Sequence, residues 1–195
     1  TEIIKKNEKG EEIPICTDWY ITREFDDSEI RLLIDSVLFS KTIPQKQCKK
    51  LIDKLKGLSN IYFEKKVNHI CSLPEIRPEN KELFYTIDVL DEAISKGKKV
   101  SFIYNSYGTD KKLHPKRERE YVINPYQMVA TNGRYYLICN YDKYDTLSNY
   151  RIDRITGIKM MNEKRKSIKE LKEGEINLPK HMAEHLYMFA GESIR

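Results

Sequence analysis

Arginine and tyrosine side chains crowd into one stretch of the chain, residues 124–155, whose sequence is NPYQMVATNGRYYLICNYDKYDTLSNYRIDRI. A guanidinium group can bind a phosphate through two parallel hydrogen bonds, and a tyrosine ring can stack on a nucleobase. This combination is suited to a site for an anionic ligand such as a nucleotide or an oligonucleotide. Such a site needs no nucleophile.

A second chemical pattern lies near the end of the chain, where HMAEH at residues 181–185 fits the H-x-x-E-H pattern of zinc peptidase helices. His181 and His185 would lie one helical turn apart and could share a metal ion. A peptidase site needs a third protein ligand, usually well downstream, and only ten residues follow His185. We therefore expect no metal here and interpret the segment as a partly buried surface helix.

The four cysteines are scattered along the chain, with no closely spaced pair of the kind that binds zinc. They are Cys16, Cys48, Cys71 and Cys139. The sequence also contains no nucleophile elbow and no glycine-rich phosphate loop. We therefore expect free thiols in a reducing cytoplasm, no cofactor and no enzymatic activity.

Composition and length bound the class of protein. Charged residues make up 33% of the 195 residues, and no apolar run approaches the roughly 20 residues that cross a bilayer. The net charge of +5 is compatible with an anionic partner, although it does not require one. We expect a soluble protein, without a membrane partner, that has one core or two small ones.

The first part of the chain predicts helices that follow a short hairpin. Residues 1–25 have the pattern of a hairpin-like remnant with a polar turn. Apolar residues spaced three and four apart predict amphipathic helices over 27–40, from Pro44 to about Gly57, and over 79–96. The last of these helices would lead directly into the second domain, which begins after residue 97.

After Gly97 the chain favours strands. Several β-branched and aromatic runs follow one another, one of them ended by Pro125, and two of them are joined through Asn132-Gly133, the strongest short-range hairpin signal. Five or six short strands in some 60 residues predict a small, strongly bent antiparallel sheet or barrel.

The run YYLI has no polar face. Tyr136 and Ile138 should point to one side of the strand, and Tyr135 and Leu137 to the other. A strand without a solvated face is central, buried or at an interface, so we expect this strand inside the sheet.

The strand that follows is amphipathic instead. Tyr150 and Ile152 should point into the core, and Arg151 and Asp153 should share the opposite face. One interpretation is a surface ion-pair cluster of Arg151, Asp153 and Arg154 that contributes little to stability. The other is a basic concave patch that binds an anion. The residues alone favour neither.

The same residues carry a resemblance to a known family. The segment GRYYLICNYDKYDTLSNYRIDRITGI, preceded by YVINPYQMV and a VSFIY strand, resembles the WYL-domain family of bacterial transcriptional regulators. Tyr135, Tyr136 and Leu137 stand where the family is named for Trp, Tyr and Leu. The match covers about residues 83–161. TDWYIT resembles the closing strand of a winged helix-turn-helix, and HLYMFAGES resembles the opening of the family's C-terminal extension.

The resemblance implies an α+β fold in which a helical segment precedes a small Sm-like or SH3-like antiparallel β-barrel. The chain would then be the middle of a larger regulator that lacks its N-terminal DNA-binding domain. Four parts follow: a wing-like strand remnant and linker (1–25), the helical segment (26–97), the WYL barrel (98–165), and a linker with the start of a C-terminal extension (166–195). The lysine-rich sequence beyond residue 162 predicts a solvated helix or linker.

The family further implies that the barrel senses a ligand, a nucleotide or single-stranded nucleic acid, and controls DNA binding by the missing domain. Carried over position by position, the ligand-binding residues are Tyr104, Arg119, Tyr136, Tyr150, Arg151 and Arg154. One of these positions, filled by Arg119 in this alignment, could instead be filled by Arg117 if the strand is shifted by two residues. A homodimer is expected, and the alternative to ligand sensing is a purely structural dimerisation module built on YYLIC or on the helices of residues 27–58.

Overall fold

The computed structural model describes residues 2–16, 23–59, 62–63, 67, 80–110, 112–172 and 174–184. The stretches on which the resemblance to a wing strand and to a C-terminal extension depends, residues 17–22 and 185–193, lie outside them, as does His185.

The chain opens with the expected hairpin. Strands β1 (Glu2–Lys6) and β2 (Glu12–Cys16) pair antiparallel. Gly10, with a φ of +82°, lies in the turn between them, where the left-handed conformation favours glycine.

Two helices that pack against each other follow the β-hairpin. Helix α1 (Asp27–Phe39) begins with the predicted capping box, in which the Asp26 carboxylate accepts from two backbone N–H groups and the Glu29 carboxylate accepts from the Asp26 N–H. Helix α2 (Gln45–Lys56) follows Pro44. Ile30 and Ile34 of α1 are buried in the small core of this helical hairpin.

Helix α3 (Leu83–Lys96) begins about four residues later than the apolar pattern predicts. Asn80 explains the delay because its side chain is committed elsewhere: its amide donates to the carbonyl oxygens of Asp153 and Ile155, and its oxygen accepts from the Glu82 N–H. The helix ends as expected at Gly97, which has a φ of +61°.

The remaining strands form one curled antiparallel sheet, which confirms the α+β class. They are β3 (Lys98–Tyr107), β4 (Leu113–Pro115), β5 (Tyr121–Thr131), β6 (Arg134–Asn140), β7 (Leu147–Arg151) and β8 (Ile155–Lys164). Strand β3 pairs with β4, β5 and β8, and the order continues from β5 through β6 to β7. A single 3-10 turn over Ile152–Arg154 connects β7 to β8.

One boundary in the sheet was predicted wrongly. Strand β5 runs straight through Pro125, which was expected to end it. The register shifts between Pro125 and Gln127, and a bulge is one of the few places in a sheet where a residue without an N–H fits.

The sheet is buried on both faces at β6. Helix α3 covers one face, where it packs on side chains that include Phe102, Leu137 and Ile155. The other face holds Tyr136 and Ile138. Strand β6 therefore has no solvated side, as its alternation predicts.

The lysine-rich segment is mostly exposed, and it contacts the sheet at a few residues. A short 3-10 turn (Ile168–Glu170) leads to Leu171, which is buried against the second face of the sheet with Ile168 packed beside it. Tyr126 donates a 3.0 Å hydrogen bond to the carbonyl of Lys166. Apolar residues among the lysines are enough to hold the segment against the sheet.

Helix α4 (Leu178–Glu184) contains the first histidine of HMAEH. His181 Nε2 lies 3.0 Å from the side-chain oxygen of Asn149 on β7. The thiols of Cys48 and Cys139 are free and buried, and the expectations for Cys16 and Cys71 lie outside the described side chains. In the described part of the chain, no helix is long and apolar enough to cross a membrane.

Candidate functional site

Four aromatic rings form a cluster on the α3 side of the sheet: Phe102, Tyr104, Tyr121 and Tyr150. The rings of Tyr104 and Tyr150 meet edge to face with their centroids 4.8 Å apart, and those of Phe102 and Tyr121 stack at 5.8 Å. Burial raises the pKa of the Tyr104 hydroxyl and that of Tyr150. Both phenols therefore keep their protons at neutral pH.

Two cations lie over this cluster. The ammonium of Lys116 is 5.5 Å from the centroid of Tyr104, and the guanidinium of Arg117 is 4.6 Å from that of Tyr121. Arg119, two residues further along, is exposed. Of the two registers left open by the sequence, Arg117 is the one that contacts an aromatic ring of the cluster.

Arg151 is committed to a partner inside the protein. Its Nε donates to Asp153 Oδ1 at 2.9 Å and its terminal nitrogen donates to Oδ2, while the exposed fractions of the two side chains are 18% and 0%. The Arg151 N–H also donates to the Tyr104 hydroxyl at 3.3 Å. The ion pair expected from YRIDR thus exists, but it lies in the interior and not on the surface.

Arg154 has a different environment. Its guanidinium lies 5.7 Å from the centroid of Tyr107, at the end of β3. Neither Arg154 Nε nor the Tyr107 hydroxyl oxygen has a hydrogen-bond partner in the described residues, although both atoms are buried. Both groups can donate a hydrogen bond, and a buried donor without an acceptor is unfavourable.

Charges of both signs converge on Tyr107. Burial, reinforced by the Asp153 carboxylate, raises the pKa of its hydroxyl to about 12. The nearby guanidinium groups of Arg151, Arg154 and Arg134 oppose that rise. The neutral phenol therefore remains a donor at physiological pH, and with Arg151 paired to Asp153 the positive charge that is left near it comes from Arg154 and Arg134.

The structure brings together most, but not all, of the residues expected to bind ligand. Tyr104, Tyr150, Arg151 and Arg154 are neighbours in the corner where β3 meets the turn after β7. Tyr136 lies opposite Arg151 across the β6–β7 pair, and its ring belongs to the core on the second face of the sheet.

Two members of the corner were missed. Tyr107, at the end of β3, lies in it, and Arg134, at the start of β6, is near enough for its charge to oppose the rise in the Tyr107 pKa. The only sequence signal for Arg134 is its place directly after the Asn-Gly turn, and Tyr107 carries none.

Comparison with known protein families gives a match. The family model for the WYL domain matches residues 85–160. The chain carries a WYL domain. It thereby contains a regulatory sensing domain of the kind found in transcriptional regulators. The match includes all of β3 to β7, and therefore the whole corner around Tyr107.

Among solved structures, the chain is similar to proteasome accessory factor B/C (PafBC) of Arthrobacter aurescens, with a TM-score of 0.38 and 14% sequence identity. The similarity covers 74% of this chain and 22% of that one, so the chain spans about a fifth of the length of PafBC. No curated protein matches the chain.

Proposed function

We propose that this WYL domain senses an anionic effector, a nucleotide or single-stranded nucleic acid, and that the effector controls DNA binding by a domain outside this chain. The domain itself would have no enzymatic activity. One observation carries the proposal: among the described residues, buried donors on Arg154 and Tyr107 have no acceptor, and they lie beside arginines that outnumber the one buried carboxylate, Asp153.

A phosphate would supply what that corner lacks. An anionic oxygen can accept hydrogen bonds from Arg154 and from the neutral Tyr107 phenol. Arg117 and Lys116, held over the tyrosine rings, would extend the positive surface toward further phosphates. Arg151 acts as a positioning residue, because its guanidinium is already paired with Asp153.

The test is fluorescence polarisation of a short labelled single-stranded DNA, and of the matching RNA, against the protein across a salt series. Binding should weaken as salt rises, because each phosphate contact releases counterions. Arg154→Ala should weaken binding and make the slope of log K against log salt shallower by about 0.7, the value for one contact on a single strand. Unlabelled nucleotides added as competitors identify a small effector.

Arg31→Ala is the matched control, since Arg31 lies on α1 and pairs with Asp35. It should leave both the affinity and the slope unchanged. Binding that Arg154→Ala does not affect, in a variant with an unchanged unfolding midpoint, would contradict the proposal.

The second candidate is a structural dimerisation module. It is favoured by apolar side chains left in solvent on the helical hairpin, above all Leu32, which is 69% exposed. Sedimentation of the same samples separates the two: a dimer that binds neither nucleic acid nor nucleotide would support this candidate.

A further inference from the structure

A cavity lies where the helical hairpin meets the sheet, away from Tyr107 and Arg154. Its volume is about 520 Å³, within the range of small-molecule sites. The end of α1, the α1–α2 connection, the start of α3 and the β5–β6 turn all contribute walls. The apolar walls are Phe39, Ile43, Leu83, Phe84, Ile87 and Tyr135.

Two aromatic walls of this cavity keep a substantial part of their surface in water. Phe39 is 66% exposed and Phe84 is 40% exposed. Burying apolar surface is favourable by about 25 cal/mol for each Å² removed from water. A ligand with an apolar body would therefore gain most of its affinity from these two rings.

Three of the hydroxyl groups that line the cavity, those of Ser36, Ser40 and Thr42, make hydrogen bonds within the protein. Thr42 Oγ1 accepts from the Tyr135 N–H at 2.9 Å, and Ser40 Oγ accepts from the Thr42 N–H at 3.3 Å. Ser36 donates its hydroxyl to the Leu32 carbonyl. They offer little to a ligand that needs several polar contacts.

One charged side chain lines the cavity among the described residues. Arg134 is the charged group among the described residues that line it, and no described acidic side chain forms a salt bridge with it. An apolar cavity with one guanidinium at its wall fits a ligand of the same pattern, with an apolar body and one negative charge.

We propose that this cavity binds a small amphipathic organic acid, with its ring or short chain between Phe39 and Phe84 and its anionic group on Arg134. The site is distinct from the effector corner, although Arg134 borders both. Because the walls come from the helical hairpin and from the sheet, a bound acid would hold these two parts together.

The probe for the test is anilinonaphthalene sulfonate, an aromatic anion that fluoresces when it leaves water. Its uncharged relative phenylnaphthylamine serves as the second probe. The folded protein should bind the sulfonate. Binding should raise the unfolding midpoint of the protein, because a ligand that binds only the native state stabilises it.

Each wall has its own variant. Phe39→Ala and Phe84→Ala should each weaken both probes about tenfold, the effect of losing one apolar wall. Arg134→Gln should weaken the sulfonate about threefold to fivefold and leave the uncharged probe unchanged, since a partly exposed ion pair contributes at most about 1 kcal/mol.

Two variants serve as controls. Leu32→Ala removes an exposed apolar side chain on α1 that does not line the cavity, and Arg154→Ala changes only the effector corner. Neither should alter binding of either probe. Unchanged binding in Phe39→Ala and Phe84→Ala, or equal losses in Leu32→Ala, would overturn the proposal whatever the nucleic-acid experiment shows.

Discussion

Asp153 is fully buried, and its charge is balanced from one side by Arg151. Removing one partner of such a pair leaves the other charge without compensation in a poorly solvated place. The bidentate geometry also fixes the backbone of the turn after β7, whose carbonyl at Asp153 accepts from Asn80. The pair therefore supports the position of Arg154, one residue further on.

Replacing Asp153 by Asn should lower the free energy of unfolding by about 3 kcal/mol, because the Arg151 guanidinium would lose its counter-charge. Urea unfolding measures the change. Glu120→Gln is the matched control: its partner Lys159 is 3.6 Å away and both side chains are exposed. That change should stay within about 0.5 kcal/mol. Equal losses in the two variants would mean that burial adds nothing to the Arg151–Asp153 pair.

At the scale of elements, the turn between β5 and β6 does more than reverse the chain. Asn132 and Gly133 have φ values of +51° and +73°, the left-handed pair that Asn-Gly favours in two-residue hairpins. The carbonyl of Gly133 also accepts from the Lys41 N–H. The turn is thus one of the places where the helical hairpin contacts the sheet.

Gly133→Ala should destabilise the protein by about 2 kcal/mol or more, for two reasons. A side chain there is strained at positive φ, and its Cβ would lie 2.8 Å from the Phe39 carbonyl oxygen. Gly97→Ala provides the comparison, since its φ is +61° but no atom lies within 4 Å of the added Cβ. It should show only the strain, about 1 kcal/mol. Thermal unfolding of both variants tests the difference, and equal losses would show that Phe39 moves aside.

Local signals in the sequence predicted these elements well where one short segment decides the outcome. The capping box of α1, the Asn-Gly turn and the alternation in β6 are of this kind. Contacts between distant segments decided the rest. Asn80 delays α3 by bonding to the turn after β7, and a bulge lets β5 continue past Pro125.

The candidate site divides in the same way. The arginines of YRIDR were found from the sequence, but Tyr107 and Arg134 join them only because the end of β3 and the start of β6 both lie near the turn after β7. Alternation placed Arg151 and Asp153 on one face and could not tell that this face is buried there. Domain boundaries and the ligand-binding roles stay predictions.

At the scale of the whole molecule, a sensing domain needs a path to the rest of its protein. In the part of the chain that the structure describes, hydrogen bonds from the helical hairpin to the sheet region include Lys41 to Gly133, Tyr135 to Thr42, and Gln47 to Lys81. The proposed acid-binding cavity lies beside the first two. We expect that a ligand bound between the two parts strengthens or weakens these bonds without unfolding either part.

Thr42→Val removes one of these contacts with little change in shape. Tyr135 would lose its hydrogen-bond acceptor, and a buried polar group left unpaired costs about 1–3 kcal/mol. Because that bond joins the two parts, the loss should appear mainly in the helical hairpin. We expect native-state hydrogen exchange to show a lower opening free energy for the amides of α1 and α2, with the amides of β3 and β5 nearly unchanged.

Thr156→Val is the matched control for this experiment, because Thr156 accepts a hydrogen bond from Asn105 within the sheet. Its effect should be confined to the sheet side. If Thr42→Val instead lowers the opening free energies of helices and sheet equally, then the two parts unfold as one cooperative unit and the connection is rigid. A signal from the effector corner would then reach the helices by displacement of the whole body, and Arg134, at the border of both sites, would be the residue through which the two ligands influence each other.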